Sequence, residues 1–283
     1  MKNSIFMKKV IIFLVAVLAI IACKDEPRFS ISFDENYITS STQDFLLLDE
    51  FYDYSFMPRF NNVKSIRYKV SEAEMKFGEY VAGNICAVYD FEYSNNLLNK
   101  ITCYDEDGDI YLTSHYEYND DQNIKHELIY DEDGMLIKYS YKYAPNKIIV
   151  NEKYDENEAG EDLIIILDDS KKVVERYWQD DETDKVIVTY GRNSKVSVLS
   201  NPEREQFVEF KYDYNNRISE ISPWGLKFFY NGELLSYVES HDDNRKIEYI
   251  YDSSNIPSRV LFKNNDNSGL KGKIIDILVE FNE

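Results

Sequence analysis

The sequence predicts an all-β protein, built as a long antiparallel meander of tandem hairpin repeats of about 24 residues each. Three observations support this prediction. Aromatic residues occupy alternate positions in short segments, the segments return at a nearly constant spacing, and turn-forming residues separate them. No segment shows the 3.6-residue period of a long amphipathic helix. We expect the meander to form a curved open sheet or a partly closed barrel.

The N-terminal segment, residues 1–22, has the pattern of a lipoprotein signal peptide. Three lysines among the first nine residues precede the apolar run Val10 to Ile21, which is too short for a bilayer-spanning helix of about 20 residues. The run ends in Leu18-Ala19-Ile20-Ile21-Ala22-Cys23, which resembles a bacterial lipobox. The resemblance implies cleavage before Cys23 and acylation of its thiol, so that a lipid anchor holds the mature chain. An ordinary secretory signal is the alternative.

The residues that follow Cys23 indicate where in the cell the protein is anchored. Lys24-Asp25-Glu26 resembles the export signal of surface lipoproteins in Bacteroidota. This resemblance implies an anchor in the outer membrane and exposure at the cell surface, with a periplasm-facing anchor as the alternative. Residues 23–62 lack the repeat and are predicted to be a tether and N-terminal cap. Residues 63–283 form the predicted repeat domain.

The chain is strongly acidic, with a net charge of −20 over 283 residues. A polyanion of this kind is repelled by phosphate backbones and anionic headgroups. The densest basic cluster, Lys171-Lys172, is flanked by acids. We therefore exclude nucleic acid as a partner, whereas cationic partners and divalent ions stay open.

The repeat is visible in the positions at which each aromatic segment ends. Successive segments end at Tyr93, Tyr118, Tyr143, Leu167, Tyr190 and Tyr214, which are 23 to 25 residues apart. Such regular spacing indicates a repeat architecture. Because side chains alternate between the two faces of a strand, one face of the sheet is predicted to be aromatic and the other polar. About seven units would give some fourteen strands.

Turn residues lie between the strands. Tyr104-Asp105-Glu106-Asp107-Gly108 and Tyr130-Asp131-Glu132-Asp133-Gly134 both contain Asp-Gly, which favours the positive-φ turns of hairpins. These Tyr-Asp-x-x-Gly turns, followed by aliphatic strands, resemble the YD repeats of RHS-type proteins. The chain is also similar to tandem-hairpin lipoproteins of Bacteroidota that have no assigned activity. The resemblance spans Val63 to Phe281 and implies the repeat fold, but the shell-forming role of RHS proteins is not implied for this shorter chain.

Two cysteines follow the anchor residue, Cys86 and Cys103. If residues 88–93 and 98–104 form a hairpin, position 86 lies opposite 105, and Cys103 lies two positions away on the same face. A small change of register would allow a cross-strand disulfide. The alternative is two separate buried thiols that behave as small apolar residues.

The sequence contains no convincing catalytic or metal-binding pattern. Asp105, Asp107 and Asp109 have the alternating acids with which a calcium loop begins, but the distal glutamate of such a loop is missing, which favours a solvated turn. The three histidines share no metal-ligand spacing. No nucleophile elbow and no phosphate-binding glycine loop is present. We predict that the protein is not an enzyme and takes no cofactor.

The aromatic residues leave two functions open. Tyrosine stripes stabilise sheets through cross-strand pairs, and they also form platforms for sugars or proteins. The candidate ligand contacts are Trp178, Trp224, Tyr212 and Tyr214. We expect a non-catalytic module that binds a protein or glycan through its aromatic face, or alternatively a purely structural envelope component. An exposed aromatic patch would favour binding, and a covered one would favour the structural function.

Overall fold

The computed structural model describes residues 29–30, 59–154, 159–240, 245–264 and 272–282. These ranges contain twenty strands and no helix, so the described chain has no helix that could cross a membrane. The predicted signal peptide, the anchor residue Cys23 and most of the predicted tether and cap lie outside the described residues.

Two short strands, β1 (Phe29–Ser30) and β2 (Arg59–Phe60), pair with each other. The other eighteen strands form a closed barrel. They are β3 (Val63–Lys76), β4 (Glu79–Ser94), β5 (Leu97–Tyr104), β6 (Ile110–Tyr118), β7 (Ile124–Asp131), β8 (Gly134–Ala144), β9 (Lys147–Lys153), β10 (Glu161–Leu167), β11 (Val173–Trp178), β12 (Asp181–Tyr190), β13 (Val196–Asn201), β14 (Gln206–Tyr212), β15 (Ile218–Ser222), β16 (Leu226–Asn231), β17 (Leu234–Ser240), β18 (Arg245–Tyr251), β19 (Pro257–Asn264) and β20 (Gly272–Phe281).

The barrel is an uninterrupted antiparallel meander, in which each strand pairs with the next along the chain. The last strand, β20, pairs with β3 from Gly272↔Ala73 to Phe281↔Val63 and closes the ring. The all-β hairpin meander predicted from the sequence is thus confirmed, and its sheet closes. The barrel has eighteen strands and not the expected fourteen. The long hairpin β3–β4 lies before most of the repeats that the sequence shows, and the last hairpins are shorter than 24 residues.

The two ends of the barrel differ. At the upper end, the N–H of Asn282 donates to the carbonyl of Asn62 at 3.0 Å, so the first and last barrel strands meet there. At the lower end, β3 and β4 join through Phe77 and Gly78, both at positive φ.

One five-residue turn recurs along the barrel. In the turn after β14, Asp213 Oδ1 accepts the N–H groups of Asn215 and Arg217, each at 2.9 Å. The fourth residue, Asn216, has a φ of 66°, a conformation that asparagine tolerates and glycine favours. The same backbone bonds close the turns 119–123, 168–172, 191–195 and 252–256 at the upper end, and 105–109 at the lower end.

The inner face of the barrel is apolar and aromatic. On β14, Val208, Phe210 and Tyr212 point inward and pack in the core, whereas Glu209 and Lys211 point outward. The outer face carries cross-strand ion pairs, and these include Arg67–Asp90, Lys211–Glu220 and Arg259–Asp276. The alternation predicted from the sequence therefore has its aromatic face turned into the barrel.

Candidate functional site

Six tyrosines at the upper end of the barrel, which we call the rim tyrosines, share one arrangement. Each lies at or next to the end of an even-numbered strand, and its hydroxyl donates to a carbonyl at the start of the preceding strand. The pairs are Tyr118 to Leu98, Tyr143 to Ile124, Tyr190 to Val173, Tyr212 to Val196, Tyr230 to Ile218 and Tyr251 to Leu235, at 2.6 to 2.9 Å. Each bond holds together the open end of a hairpin whose turn is at the lower end.

Basic side chains cover three of these rings. The cation lies over the ring centroid in Lys172–Tyr190 at 4.6 Å, Lys195–Tyr212 at 5.3 Å and Arg217–Tyr230 at 4.0 Å. Arg217 also donates to the carbonyl of Gly232 at 2.6 Å and to Asp213 at 2.7 Å. Cation–π contacts of this kind contribute about 0.5–1 kcal/mol each at exposed sites. The rim is thus a repeated structural device that joins the two strands of a hairpin at its open end.

A second tyrosine cluster comprises Tyr116 and Tyr139, which are half-buried on β6 and β8, and Tyr154, which is exposed just after β9. Tyr116 donates to Glu127 at 2.9 Å, and both Tyr139 and Tyr154 donate to Glu152, at 3.0 and 2.9 Å. Burial raises the pKa of the Glu127 carboxyl, against the opposing effect of the Tyr116 hydrogen bond. Burial likewise raises the pKa of the Tyr116 hydroxyl. At neutral pH the Tyr116 phenol is therefore a hydrogen-bond donor, and it holds the Glu127 carboxyl group in place.

The four aromatic residues proposed as ligand contacts are not brought together. Trp224 is 5% exposed and belongs to the core, and Trp178 is half-buried against the same core. Both lie at the lower end, whereas Tyr212 is a rim tyrosine at the upper end. Tyr214 is 94% exposed in the turn after β14. The end of that repeat is therefore Tyr212 and not Tyr214, because the turn begins at Asp213.

The two described cysteines are free thiols. Position 86 does not pair with 105, because β4 and β5 stop pairing at Val88↔Tyr104, and Cys103 lies opposite Tyr89. Burial raises the pKa of the Cys103 thiol. The two thiols are therefore separate, but only Cys103 is buried as the second alternative expected, because Cys86 is half-buried.

The acidic turn 105–109 uses its first carboxylate internally. Asp105 Oδ1 accepts the N–H groups of Asp107 and Asp109, at 3.0 and 2.9 Å. Within the described ranges no three His, Cys, Asp or Glu side chains come together as a metal site requires. Residues 106–109 of this turn are exposed.

One aromatic pair on the outer face was missed by the sequence reasoning. The rings of Phe229 on β16 and Tyr237 on β17 stack at 4.4 Å with an angle of 18° between their planes. Lys246 lies over the ring of Tyr237 at 3.8 Å. The consecutive residues Phe228 and Phe229 could have indicated an aromatic ring on the outer face, because only one of two neighbours on a strand can face inward.

Comparison with known proteins shows structures that are similar to this chain but identifies no family. No protein-family model matches the sequence, and no curated protein matches it. A porin-like protein of Bacteroides uniformis is similar in structure at 12% identity and a TM-score of 0.37, over 77% of this chain and 98% of that one. The TcdB2–TccC3 complex is similar at 11% identity and a TM-score of 0.39, over 75% of this chain. Its complex with Cdc42 is similar at 12% identity and 0.36, over 71%. The match spans 14% of the chain in each TcdB2–TccC3 structure.

Proposed function

We propose that the protein is a non-catalytic, lipid-anchored component of the bacterial cell envelope, whose barrel is a rigid body for assembly with other envelope proteins. The observation that carries the proposal is the use of the rim tyrosines. Their hydroxyls donate to main-chain carbonyls, and their rings pack against the core or under basic side chains. The aromatic stripes thus stabilise the fold, which supports the structural function over an aromatic binding face.

The polarity of the barrel supports a body that stands in water beside the membrane. Its outer face carries charged pairs and its inner face is apolar. A barrel that spans a bilayer has the opposite arrangement, with an apolar outer band and a polar interior. The lipobox-like segment ending at Cys23 supplies the proposed anchor, in the outer membrane and at the cell surface. Membership of the YD-repeat-like lipoproteins of Bacteroidota is part of the same proposal.

Acylation of Cys23 can be tested in a bacterium that makes the protein. Cells are fed an alkyne-tagged fatty acid, and the wild type is compared with Cys23→Ser. We expect the wild type to be labelled and found in membranes, and the variant to be unlabelled and released. Cys103→Ser is the matched control and should stay labelled. A Cys23→Ser protein that keeps its label would contradict the anchor. Protease treatment of intact cells then separates the surface location from the periplasmic one.

A second candidate function is glycan binding, which the exposed aromatic residues support. Phe229 is partly exposed beside Tyr237, and Tyr214 is almost fully exposed. The chain from Lys24 onward contains every barrel strand and is suited to a glycan array. Binding that is lost in Phe229→Ala or Tyr214→Ala, and kept in a control such as Phe207→Ala, would establish this function. If no glycan on the array is bound, the structural function remains.

A further inference from the structure

The strand β4 extends beyond its neighbour β5 at the lower end of the barrel. β4 begins at Glu79, whereas its last pair with β5 is Val88↔Tyr104. On one side this stretch pairs with β3 at residues 79–82, 85 and 87, with bulges at 83–84 and 86, and on the other side it pairs with no described strand. At about 3.3 Å per residue this open edge is roughly 30 Å long. A strand edge of this kind presents unpaired N–H and C=O groups to a further strand.

The open edge has bulges at residues 83–84 and 86 but little of the charge, and none of the proline, that protect most strand edges. Proteins commonly place charged side chains or prolines there. The sequence of residues 80–87, Tyr-Val-Ala-Gly-Asn-Ile-Cys-Ala, contains neither, and Glu79 is the single charged residue of the open edge. The edge is thus chemically suited to pairing with another strand.

Exposed apolar side chains gather around this edge. Ile85 on the edge is 38% exposed, and Phe77 at the tip of the β3–β4 hairpin is fully exposed. Phe77 also has a φ of 54°, which a bulky residue seldom adopts. Met75, Ile110 and Tyr111 are exposed at the same end of the barrel. An added strand would therefore find apolar contacts as well as main-chain partners.

The acidic turn 105–109 lies at one end of the open edge. It follows Tyr104, which is the residue that pairs with Val88 at the point where the edge begins. The turn carries Asp105, Glu106, Asp107 and Asp109, and the last three are exposed. A second copy of this chain would bring the same acids and a net charge of −20 to the edge. Charge complementarity instead favours a partner that is basic at this end.

We propose that residues 79–87 of β4 bind an extended segment of a partner protein by β-strand addition. The segment alternates apolar and polar residues and carries Lys or Arg at the end that meets the turn 105–109. In this mode main-chain hydrogen bonds supply affinity and alternate side chains supply specificity. The inference rests on the proposed assembly function and names the surface through which assembly takes place.

The test uses the chain from Lys24 onward and a labelled peptide of about ten residues, in which two Lys precede alternating Val and Thr, so that an antiparallel strand brings the Lys to the turn 105–109. Binding is followed by fluorescence anisotropy and by hydrogen exchange. We expect the peptide to bind and to slow exchange of those amides of residues 79–87 that point away from β3. A peptide beginning with two Glu should bind about tenfold more weakly. Of two peptides N-methylated on alternate residues, the one blocked on its pairing edge should not bind.

Two isoleucine variants supply a matched comparison. Ile85 on the open edge and Ile250 on the paired strand β18 are 38% and 44% exposed. We expect Ile85→Thr to weaken peptide binding about tenfold and Ile250→Thr to leave it unchanged, because threonine keeps the β-branched shape and removes apolar area.

Several results would overturn the proposal. These are no binding at about millimolar peptide, equal effects of the two isoleucine variants, or protection, in the free monomer, of those amides of residues 79–87 that point away from β3. Protection that depends on protein concentration would assign the edge to a second copy. Any of them would leave acylation of Cys23 untouched, so this surface can fail while the envelope function stands.

Discussion

The rim tyrosine Tyr212 and its neighbour Tyr214 differ in the surroundings of their hydroxyl groups. Tyr212 donates to the carbonyl of Val196 at 2.7 Å, whereas Tyr214 is exposed in the following turn. We expect Tyr212→Phe to lower the free energy of unfolding by about 0.5–1.5 kcal/mol, because the carbonyl loses a partner. Tyr214→Phe should change it by less than about 0.5 kcal/mol. Urea denaturation measures both, and equal losses would show that the rim bond does not stabilise the fold.

The contribution of Glu127 to the stability of the fold depends on pH. Its pKa is raised in the folded protein because burial disfavours the charged carboxylate. This raised pKa stabilises the fold fully below the ordinary value of 4.5, and the contribution is lost as the pH rises through the folded-state pKa. We therefore expect Glu127→Gln to be more stable than the wild type at pH 7 and to lose that advantage below about pH 4. Thermal unfolding of both proteins between about pH 4 and pH 7 tests this prediction, with Glu106→Gln at an exposed position as the control. An advantage independent of pH would point to packing.

At the scale of the element, the recurring turn sets the geometry of each hairpin through one residue at positive φ. Gln122 holds this position in the turn 119–123, with a φ of 63°. A glutamine pays a steric penalty there that glycine avoids, so Gln122→Gly should raise the free energy of unfolding by roughly 0.5–1 kcal/mol. Gln206→Gly, at the start of β14, should lower it, because glycine weakens a strand. Urea denaturation compares the two, and the same sign for both would contradict the argument.

The hairpins and their turns also show how much of the fold could be predicted from the sequence. Asp-Gly turns and alternating aromatic residues act over a few neighbours, and for this reason the hairpins could be predicted. The register of a hairpin depends on bulges that leave no local mark. The shift between Glu92 and Tyr93 moved the pairing of β4 with β5, and the start of a turn at Asp213 moved the end of its repeat to Tyr212. The stack of Phe229 on Tyr237 likewise required a register that composition does not supply.

At the scale of the whole molecule, closure depends on two strands that are far apart in sequence. β3 and β20 pair over ten positions, from Val63 to Ala73 on one strand. Their meeting is a property of the accumulated twist and inward packing of all the strands between them, and no repeat unit contains it. This is why the sequence predicted a curved sheet or a partly closed barrel without deciding between them. A closed ring also has no natural first strand.

The last prediction follows from that symmetry. Because Asn282 bonds to Asn62 at the upper end, a short Gly-Ser linker can join residue 282 to residue 59, and new ends can be opened in the turn 202–205. We expect this permuted chain to keep the barrel, with an unfolding free energy within about 1 kcal/mol of the unpermuted chain, since every barrel strand keeps both neighbours. A linear chain ending at Asn264 lacks β20, so β3 and β19 each lose one of their two neighbours and expose an unpaired edge. It should lose cooperative unfolding in circular dichroism. If instead the truncated chain unfolds cooperatively and the permuted one does not, the stability of the molecule does not come from closure.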